Sequence, residues 1–469
     1  MNASSVKPNY TTNNQNYVEH PVRLLKFILN KLRVKDLFKK YVKDPRTRID
    51  HYKLDSLLMF NLCSFLFRSP SKNKFHLTLK RPSANRSIAK FTEMESDRSP
   101  CPRSIDDIFL ELNADDFSNI LPEIFRKLRR QKLFQLHPEL VPNGEFTVAI
   151  DAQAVHTYHE ESQHPCQSCP YCLKRTRGNK IWYIHYDLVA SFVAPNGLQI
   201  PLLFHRIRAR PEWGQLSDNK WKQECERTAF PILLRKLRHY FPRLNICVLL
   251  DALYATDPVF SLLKELKMGY SIVRKVKVIK TVGEDCEGLK SLTFPLQINR
   301  ENKRFNIQQT IYFFNDVAYR EHKLSIIQLD EHAEKKPSKR FAKTLIKDTH
   351  WEWIVNQTLD EGNVSAISTQ SRLRWNEEDL FNSLQSRGFA IRHDFSRAPT
   401  SQLIWTYLAL IAYAISSILT HSSLGKLILS KGYTICFLME QMLNDLIYLP
   451  DVFVSGELIQ LRFGKDPPS

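Results

Sequence analysis

Glycine is scarce in this sequence, with 13 residues in a chain of 469. Neither of the two common glycine-rich loops that bind phosphates, GxxxxGK(S/T) and GxGxxG, is present. This absence argues against an ATP-driven motor and against a dinucleotide-dependent enzyme. Acidic residues are also few, with 49 Asp and Glu against 67 Lys and Arg, so the formal net charge is +18. Such an excess indicates a polyanionic partner, with nucleic acid the first candidate and a membrane surface or simple solubility the alternatives.

Long uncharged apolar runs are also rare, and the run at 403–419 is the one candidate for a membrane span. It is shorter than the roughly 20 residues that a bilayer requires, and it contains Thr406, Ser416 and Ser417. We therefore interpret it as a buried core helix and expect no membrane contact. No secretory signal peptide is visible, and six of the nine cysteines are scattered along the chain. This distribution suits a reducing cytosol.

The pattern of the chain divides it into a helical part and a part in which strands and helices alternate. Residues 1–20 are polar and rich in asparagine, which predicts a disordered tail. Residues 21–140 show amphipathic helical spacing with many basic residues, which predicts a helical DNA-binding region, with a solvated helical surface as the alternative. Residues 145–275 alternate apolar strands with helices, which predicts the first part of an α/β core. A β-rich insertion is predicted at 276–370. The last part of the core and the C-terminal helices are predicted at 371–450, and a tail at 451–469.

Two aspartates stand where the sequence predicts that buried strands end. Asp151 closes the run FTVAID, and Asp251 closes the continuous apolar run NICVLLD. Because α/β sheets place their chemistry at the carboxyl ends of neighbouring strands, we expect these two side chains to share one site. The alternative is that each acid only ends its strand.

A third carboxylate comes from a predicted helix at 372–385, whose apolar residues recur at helical spacing. Arg374, Glu378 and Gln385 fall on one stripe along successive turns of this helix. On such a stripe Glu378 can bind a metal ion while Arg374 binds a phosphate. A solvated salt bridge between the two is the alternative.

Asp151, Asp251 and Glu378 therefore form a candidate catalytic trio. Three carboxylates can bind divalent cations through oxygen atoms, which suits Mg²⁺ or Mn²⁺. Two such ions can activate an attacking oxygen and stabilise the leaving oxygen in phosphodiester transfer. The trio thus predicts metal-dependent chemistry on a nucleic-acid backbone.

Six segments of the chain resemble, in their order and spacing, the DDE transposases of bacterial insertion sequences. The resemblance covers about residues 45–400 and is carried by AIDAQAVH, CQSCPYC, KQECERTA, VLLDALYA, RLRWNEEDLFNSLQSRGF and IRHDF. It implies a ribonuclease H-like catalytic core, which is a mixed sheet with flanking helices, and a β-rich insertion before the last catalytic residue. It also implies that Asp151, Asp251 and Glu378 are the catalytic residues and the ligands of Mg²⁺.

The final helix of that family usually reads Tyr-x2-Arg-x3-Glu-x6-Lys. Arg374 and Glu378 match this pattern, whereas Ser371 takes the place of the tyrosine and Gln385 that of the lysine. In the family both positions contact DNA phosphates, so Ser371 and Gln385 are candidate DNA contacts. The two departures from the family pattern would affect how the protein binds the end of a DNA strand. Glu377 is a neighbouring alternative ligand, and the register after the preceding tryptophan favours Glu378.

The resemblance further implies what the protein does. A transposase binds the terminal repeats of a mobile element in double-stranded DNA, cuts beside them, and joins the freed 3′-OH to target DNA. Joining two ends implies at least a homodimer, and the expected location is the bacterial cytoplasm, on the nucleoid. A nuclease of the same fold that cuts without strand transfer is one alternative. A domesticated DNA-binding protein without catalysis is another.

Further candidate site residues follow from the same segments. Lys222 is placed to contact a phosphate, and Glu226 is placed to join the acidic site; for both, a surface position is the alternative. Trp351 and Trp353 are candidates to stack on an unpaired base at the element end, because stacking on an aromatic side chain tolerates any base. For Trp375 core packing is the preferred interpretation.

Three cysteines, Cys166, Cys169 and Cys172, are clustered just after the first aspartate strand. Three thiolates and one histidine would form a closed tetrahedral zinc site that holds a loop beside the active site. His164 is the nearest histidine, and the fourth ligand stays unassigned among His164, His156, His159 and His185. A Cys-x-x-Cys redox pair and three unligated thiols are the alternatives.

Overall fold

The computed structural model describes residues 17–48, 52–159, 169–209, 225–292, 297–302, 306–335, 345–393 and 395–448. The predicted tail at 451–469 and most of the predicted tail at 1–20 lie outside these residues. Residues 17–19 are helical and Tyr17 is buried, so the end of the first predicted tail is folded rather than disordered.

The N-terminal region is helical, as the sequence predicts. Within the described residues its α-helices are Pro21–Lys31 (α1), Val34–Tyr41 (α2), Leu54–Leu66 (α3), Lys72–Thr78 (α4), Pro82–Thr92 (α5), Pro102–Glu111 (α6), Ile120–Arg130 (α7) and Leu133–Leu136 (α8). Three of them, α1, α5 and α6, begin with proline in the first turn, where its fixed φ and missing N–H cost nothing. The α3 helix is buried nearly all round, so it forms the centre of this region.

A large mixed β-sheet forms the rest of the core. Its strands are Phe146–His159 (β1), Leu173–Arg177 (β2), Lys180–Val193 (β3), Gln199–Arg206 (β4), Ile246–Leu250 (β5), Gly269–Val273 (β6), Gln297–Asn302 (β7), Ile307–Tyr319 (β8), His322–Lys335 (β9) and Leu345–Val355 (β10). The order across the sheet is β2-β3-β1-β5-β6-β10-β9-β8-β7, with β4 also paired to β3. The interleaved helices are Glu226–Tyr240 (α9), Asp257–Glu265 (α10) and Lys280–Leu292 (α11).

The segment that the sequence predicts to be a β-rich insertion continues the central sheet. Strand β10 pairs antiparallel with β6, with Ile354 opposite Ile272, so strands β7 to β10 continue the central sheet. A second apolar cluster lies on this half of the sheet and includes Phe313, Leu329 and Trp353. The segment is β-rich as predicted, but its backbone hydrogen bonds are shared with the core.

Strand β1 is longer than the sequence predicts. Its parallel pairing with β5 ends at Ala149 and Leu249, whereas its antiparallel pairing with β3 continues to His159. Asp151 therefore lies within β1, opposite Val189 of β3, and not at the end of the strand. Asp251 directly follows β5, as predicted.

The C-terminal helices pack against the sheet and against the N-terminal helices. They are Val364–Ser371 (α12), Trp375–Ser386 (α13), Pro399–His421 (α14), Ser423–Leu429 (α15) and Ile435–Tyr448 (α16), with a 3-10 turn at Arg372–Arg374 before α13. Helix α14 is the one helix of the described residues that is long and apolar enough to cross a membrane, and 89% of its most apolar window is buried inside the fold. Its Trp405 packs against Phe65 and Phe109 of the N-terminal helices. The run at 403–419 is thus packed as the core helix that its sequence predicts.

Candidate active site

The sheet places Asp151 and Asp251 side by side. Ala149 of β1 is in register with Leu249 of β5, and each aspartate lies two residues further along its strand direction. Asp251 keeps an extended backbone, with φ −76° and ψ 166°. Because side chains alternate along a strand, both aspartates project from the face that carries Ala149 and Leu249. That face packs against Leu373 of the 3-10 turn, so the turn leads directly to the two acids.

The register of α13 decides which of two neighbouring glutamates joins the aspartates. The side chain of Glu377 is fully buried, and its two carboxyl oxygens accept hydrogen bonds from Ser191 Oγ at 3.0 Å and Gln199 Nε2 at 2.7 Å. Burial raises the pKa of Glu377 well above its usual range. The side chain of Glu378 is 44% exposed and faces Arg374. Glu378 is therefore the accessible acid and Glu377 a structural one.

Arg374 joins the first and last members of the trio. Its Nη1 donates to Asp151 Oδ2 at 3.1 Å, and its Nη2 donates to Glu378 Oε1 at 3.2 Å. The second contact confirms that Arg374 and Glu378 lie on one stripe of the helix, four residues apart. Both terminal amino groups of the guanidinium face carboxylates in this conformation, so a phosphate contact by Arg374 stays a prediction.

Two further residues, which the sequence did not single out, complete the surroundings of the aspartates. Lys275, two residues beyond β6, places its Nζ 3.6 Å from Asp251 Oδ1. Tyr254, in the turn after β5, donates its hydroxyl to Glu226 Oε1 at 2.7 Å. The segment VLLDALYA contains Tyr254 three residues after the aspartate, which is the one sequence signal that pointed to it.

The acids influence one another's ionisation. Burial raises the pKa of Asp151; the Ala152 N–H and Arg374 offset part of this increase, and the charges of Asp251 and Glu378 add to it. Burial also raises the pKa of Glu226, the Tyr254 hydroxyl opposes the increase, and Asp151 and Asp251 reinforce it. Asp151, Asp251, Glu378 and Glu226 thus form one electrostatically coupled set, which we call the acidic site.

The donors of the acidic site suit a hard divalent cation. They are carboxylate oxygens, and the side chains of Asp151, Asp251 and Glu378 are 22%, 32% and 44% exposed, so an ion can reach them. Within the described residues, however, no three of these carboxylates bring oxygens to within 4.8 Å of one another. The Arg374 guanidinium lies between two of them and supplies positive charge there. Carboxylate oxygens are the donors that Mg²⁺ and Mn²⁺ prefer, so binding of such an ion here stays a prediction and requires the carboxylates to move closer together.

Arg374 should therefore compete with a metal ion for Asp151 and Glu378. We expect Arg374→Gln to lower the stability of the metal-free protein by about 1–3 kcal/mol, between the values for surface and buried ion pairs. The same variant should show a larger increase in Tm than the wild type when Mg²⁺ or Mn²⁺ is added, because no internal cation has to be displaced. Thermal unfolding across a metal titration measures both effects.

Arg387→Gln is the matched control, because Arg387 lies just after the same helix and pairs at 3.5 Å with the exposed Asp379 alone among the described acids. It should leave the metal-dependent change in Tm as in the wild type. Equal metal dependence of Tm in the Arg374 variant and the wild type would contradict the competition.

Two residues predicted to contact DNA, Ser371 and Gln385, form hydrogen bonds within the protein instead. Ser371 is 3% exposed; its hydroxyl accepts from Ser271 Oγ at 2.7 Å and donates to the Ile367 carbonyl at 2.8 Å. It is too deeply buried to touch DNA, which corrects the prediction. Gln385 is half-buried and donates from Nε2 to the Ala154 carbonyl of β1 at 3.3 Å. Its amide therefore ties α13 to the sheet in this conformation.

The tryptophans are arranged differently from the prediction. Trp353 is 1% exposed and belongs to the second apolar cluster, so it cannot stack on a base. Trp351 is half-buried and stacks on Trp353 with the ring planes 3° apart. Trp375, for which core packing was preferred, is 44% exposed and meets Trp351 edge to face, with ring centroids 5.5 Å apart. Trp351 and Trp375 line a surface cavity together with Lys347 and Arg372.

Three predicted site residues, Lys222, Cys166 and His164, lie outside the described residues. Cys169 and Cys172 are described and buried, and the histidine beside them is His185 of β3. The sequence placed His185 among four candidates but could not select it, because strand pairing brings it close.

The chain has little similarity to known proteins of established function. No protein-family model matches the chain, and no curated protein matches it. Among solved structures, the chain is similar to a piggyBac transposase synaptic complex with hairpin DNA. That similarity covers 92% of this chain and 80% of the other, at 12% sequence identity and a TM-score of 0.38. A similarity at this level supports no conclusion about function.

Proposed function

We propose that this protein is a DNA transposase that cuts DNA at the ends of a mobile element and joins the ends to a target, in the bacterial cytoplasm. One observation carries the proposal: Asp151 and Asp251 project from one face of adjacent parallel strands, and Arg374 links Asp151 to Glu378. Burial raises the pKa of Asp151 and the charges of Asp251 and Glu378 add to this increase, so the fold holds ionisable groups in an unfavourable environment. Such strain is typical of a functional site.

In this proposal Asp151, Asp251 and Glu378 bind Mg²⁺ or Mn²⁺. The bound ions would supply Lewis acidity to the attacking and leaving oxygens of the phosphodiester. Arg374, released from the two carboxylates, would then be free to donate both Nη groups to a phosphate, a geometry that guanidinium favours. Lys275, 3.6 Å from Asp251 and largely exposed, would contact the DNA backbone beside the site.

The proposed DNA surface extends from the acidic site over α13 and the end of β10. Trp375 is exposed on the first turn of α13, and Arg372 lies 5.5 Å over the Trp351 ring. Together with the exposed Lys347, these side chains offer an aromatic face and positive charge, which is what an unpaired base and its phosphate require. The basic residues at the end of α7, with Arg129 and Arg130 exposed, are candidates to bind duplex DNA in the terminal repeats.

We expect Trp375→Ala to weaken binding of an element end that carries an unpaired base by about 1–3 kcal/mol, the range for stacking of one base. Binding of a fully paired duplex should change little. Fluorescence anisotropy with matched paired and flapped oligonucleotides measures the difference. Tyr433→Ala, at another exposed aromatic residue, serves as the control and should weaken neither complex. An equal loss of affinity for both DNAs would contradict base stacking.

A second candidate function is a nuclease that cuts without strand transfer. The observation that favours it concerns the two positions expected to contact the end of a DNA strand. Ser371 is buried, and Gln385 donates to the backbone of β1. Neither position presents a side chain in the way that a tyrosine and a lysine would. The acidic site serves both functions equally, so the two differ in what happens after the first cut.

The test is a cleavage reaction with a labelled duplex that carries the inverted repeats flanking the gene, with Mg²⁺ or Mn²⁺ and a supercoiled target plasmid. Transposition predicts metal-dependent cuts at the repeat end and a product in which the labelled 3′ end is joined to the plasmid. Cuts without joining would identify the nuclease. Specific binding of the repeats without any cut under either metal would identify a non-catalytic DNA-binding protein. Size measurement of the DNA complex tests the proposed dimer.

A further inference from the structure

A second group of potential metal ligands lies away from the acidic site, on the outer half of the same sheet. Cys169 Sγ lies 3.4 Å and Cys172 Sγ 2.9 Å from Nε2 of His185. All three side chains are buried, and their three ligand atoms lie within 4.8 Å of one another. Within the described residues this is the one group of three or more such side chains with that spacing.

Secondary structure brings these residues together. The two cysteines flank the turn that leads into β2, and β2 pairs with β3, with Leu173 in register with Ile184. His185, the next residue of β3, therefore stands beside the cysteine turn. Tyr171 packs with the cysteines, and Tyr158, Tyr183 and Leu403 cover the group from outside. Three chain segments, β1, β3 and α14, thus enclose the two sulfurs in an apolar shell.

We infer that Cys169, Cys172 and His185 bind a zinc ion that ties the start of β2 to β3. The donor chemistry supports this inference, because two thiolates and one imidazole are preferred ligands of Zn²⁺ and poor ligands of Mg²⁺. In this assignment the histidine is His185 and not His164. The fourth position is left open.

The observed spacing fits a tetrahedral ion. With Zn–S of about 2.3 Å and Zn–N of about 2.0 Å, tetrahedral geometry separates sulfur and nitrogen by roughly 3.5 Å. The Cys169 distance of 3.4 Å is close to this value, and the Cys172 distance of 2.9 Å would have to increase by about 0.6 Å. Charge also fits, since two thiolates neutralise the divalent ion and remove most of the cost of burying it.

The position of the zinc site indicates a structural role. His185 precedes Val189, the residue of β3 opposite Asp151, by four positions, which is about 13 Å along a strand. Zinc there would not touch the acidic site. It would instead hold the turn before β2 against β3, the strand that pairs with β1. The inference does not depend on the proposed transposase activity.

The test measures metal content and thiol ligation in the full-length chain purified without added metal. Elemental analysis should find about one zinc per chain in the wild type. After removal of zinc, Co²⁺ should restore thermal stability and produce intense thiolate-to-cobalt absorption bands. Cys172→Ser and His185→Asn should each lose the zinc during dialysis. Cys101→Ser, at an exposed cysteine of the N-terminal region, should keep it.

Wild-type protein without zinc and without thiolate–cobalt bands would overturn the assignment, as would full zinc retention in both variants. If the variants fail to fold, the cobalt spectrum of the wild type alone decides. A disulfide between Cys169 and Cys172 in the protein purified from the cytoplasm would also overturn it, because the pair would then be a redox device. DNA cleavage is not part of this test, so its result is separate from that of the proposed function.

Discussion

Replacing Asp251 with asparagine is expected to lower the rate of metal-dependent DNA cleavage by about 10³-fold or more, with the fold intact. Asparagine has nearly the same shape but provides no negative charge for a divalent cation. Asp151→Asn and Glu378→Gln should have effects of the same order, because each carboxylate belongs to the same coupled set. Initial rates on a labelled element end, with the metal ion varied, measure the loss.

The stability of Asp251→Asn is expected to move in the opposite direction from its activity. Asp251 raises the pKa of both Asp151 and Glu226. A carboxyl whose pKa is raised in the folded state stabilises the fold at low pH, and this contribution is lost as the pH rises through the raised pKa. Mutual repulsion therefore costs stability at neutral pH. Asp251→Asn should unfold at the same or a higher temperature than the metal-free wild type.

Asp379→Asn is the matched control for the catalytic trio. Asp379 lies next to Glu378 on α13, is 64% exposed, and pairs with Arg387 alone among the described cations. Its replacement should leave the cleavage rate within about twofold, as for an exposed residue outside a site. A large loss of activity in this control, or full activity of Asp251→Asn, would refute the assignment of the trio.

The second large effect is expected on stability, at a buried ion pair between β3 and β4. Arg206 donates Nε and Nη2 to the two carboxyl oxygens of Asp187 at 2.7 and 2.8 Å, and Nη2 also donates to Thr406 Oγ1 of α14 at 2.9 Å. The side chains of Arg206 and Asp187 are 1% and 0% exposed. The pair thus joins two strands and the long core helix through one guanidinium.

We expect Asp187→Asn to lower the free energy of unfolding by about 3–5 kcal/mol, because it leaves a buried guanidinium without its counter-ion. Urea unfolding followed by circular dichroism measures the change. The double variant Asp187→Leu with Arg206→Met should recover much of the loss, since removing both charges also removes the cost of burying them.

Glu265→Gln provides the comparison at the surface. Glu265 accepts two hydrogen bonds from Arg235 at 2.6 and 3.1 Å, the same bidentate geometry, but both side chains are more than half exposed. Its loss should cost far less than the loss of Asp187, because solvent screens an exposed pair. A similar cost at both pairs would show that burial does not control the energy of the Asp187 pair.

Local sequence patterns were sufficient to predict many elements of this fold. Continuous apolar runs predicted β5 and most of β3 and β4, because a strand that is buried on both faces needs apolar residues at every position. Helical spacing predicted the N-terminal helices and α13, including the Arg374–Glu378 contact, since residues four apart always meet on a helix. Low polarity at 403–419 predicted the buried α14.

Other features depend on contacts between distant segments, and no local pattern contains them. The continuation of β1 past Asp151 is stabilised by pairing with β3, and the joining of β10 to β6 makes the β-rich segment part of the main sheet. The burial of Trp353 depends on the apolar cluster that covers its face of β10, and the exposure of Trp375 depends on how α13 packs on the sheet. Glu377 and Glu378 are identical in residue type, and only packing determines that Glu377 points into the core.

Local sequence patterns thus identify the candidate site residues. These patterns are the acids after apolar strands, a helix with an Arg–Glu stripe and a cysteine cluster. The sheet alone brings Asp151 beside Asp251, and strand pairing alone brings His185 to Cys169 and Cys172. The physical reason is that propensity and periodicity act over a few residues. Hydrogen bonding between strands and burial of apolar faces act across the whole chain. They determine which of several similar side chains lies in a site and which lies in the core.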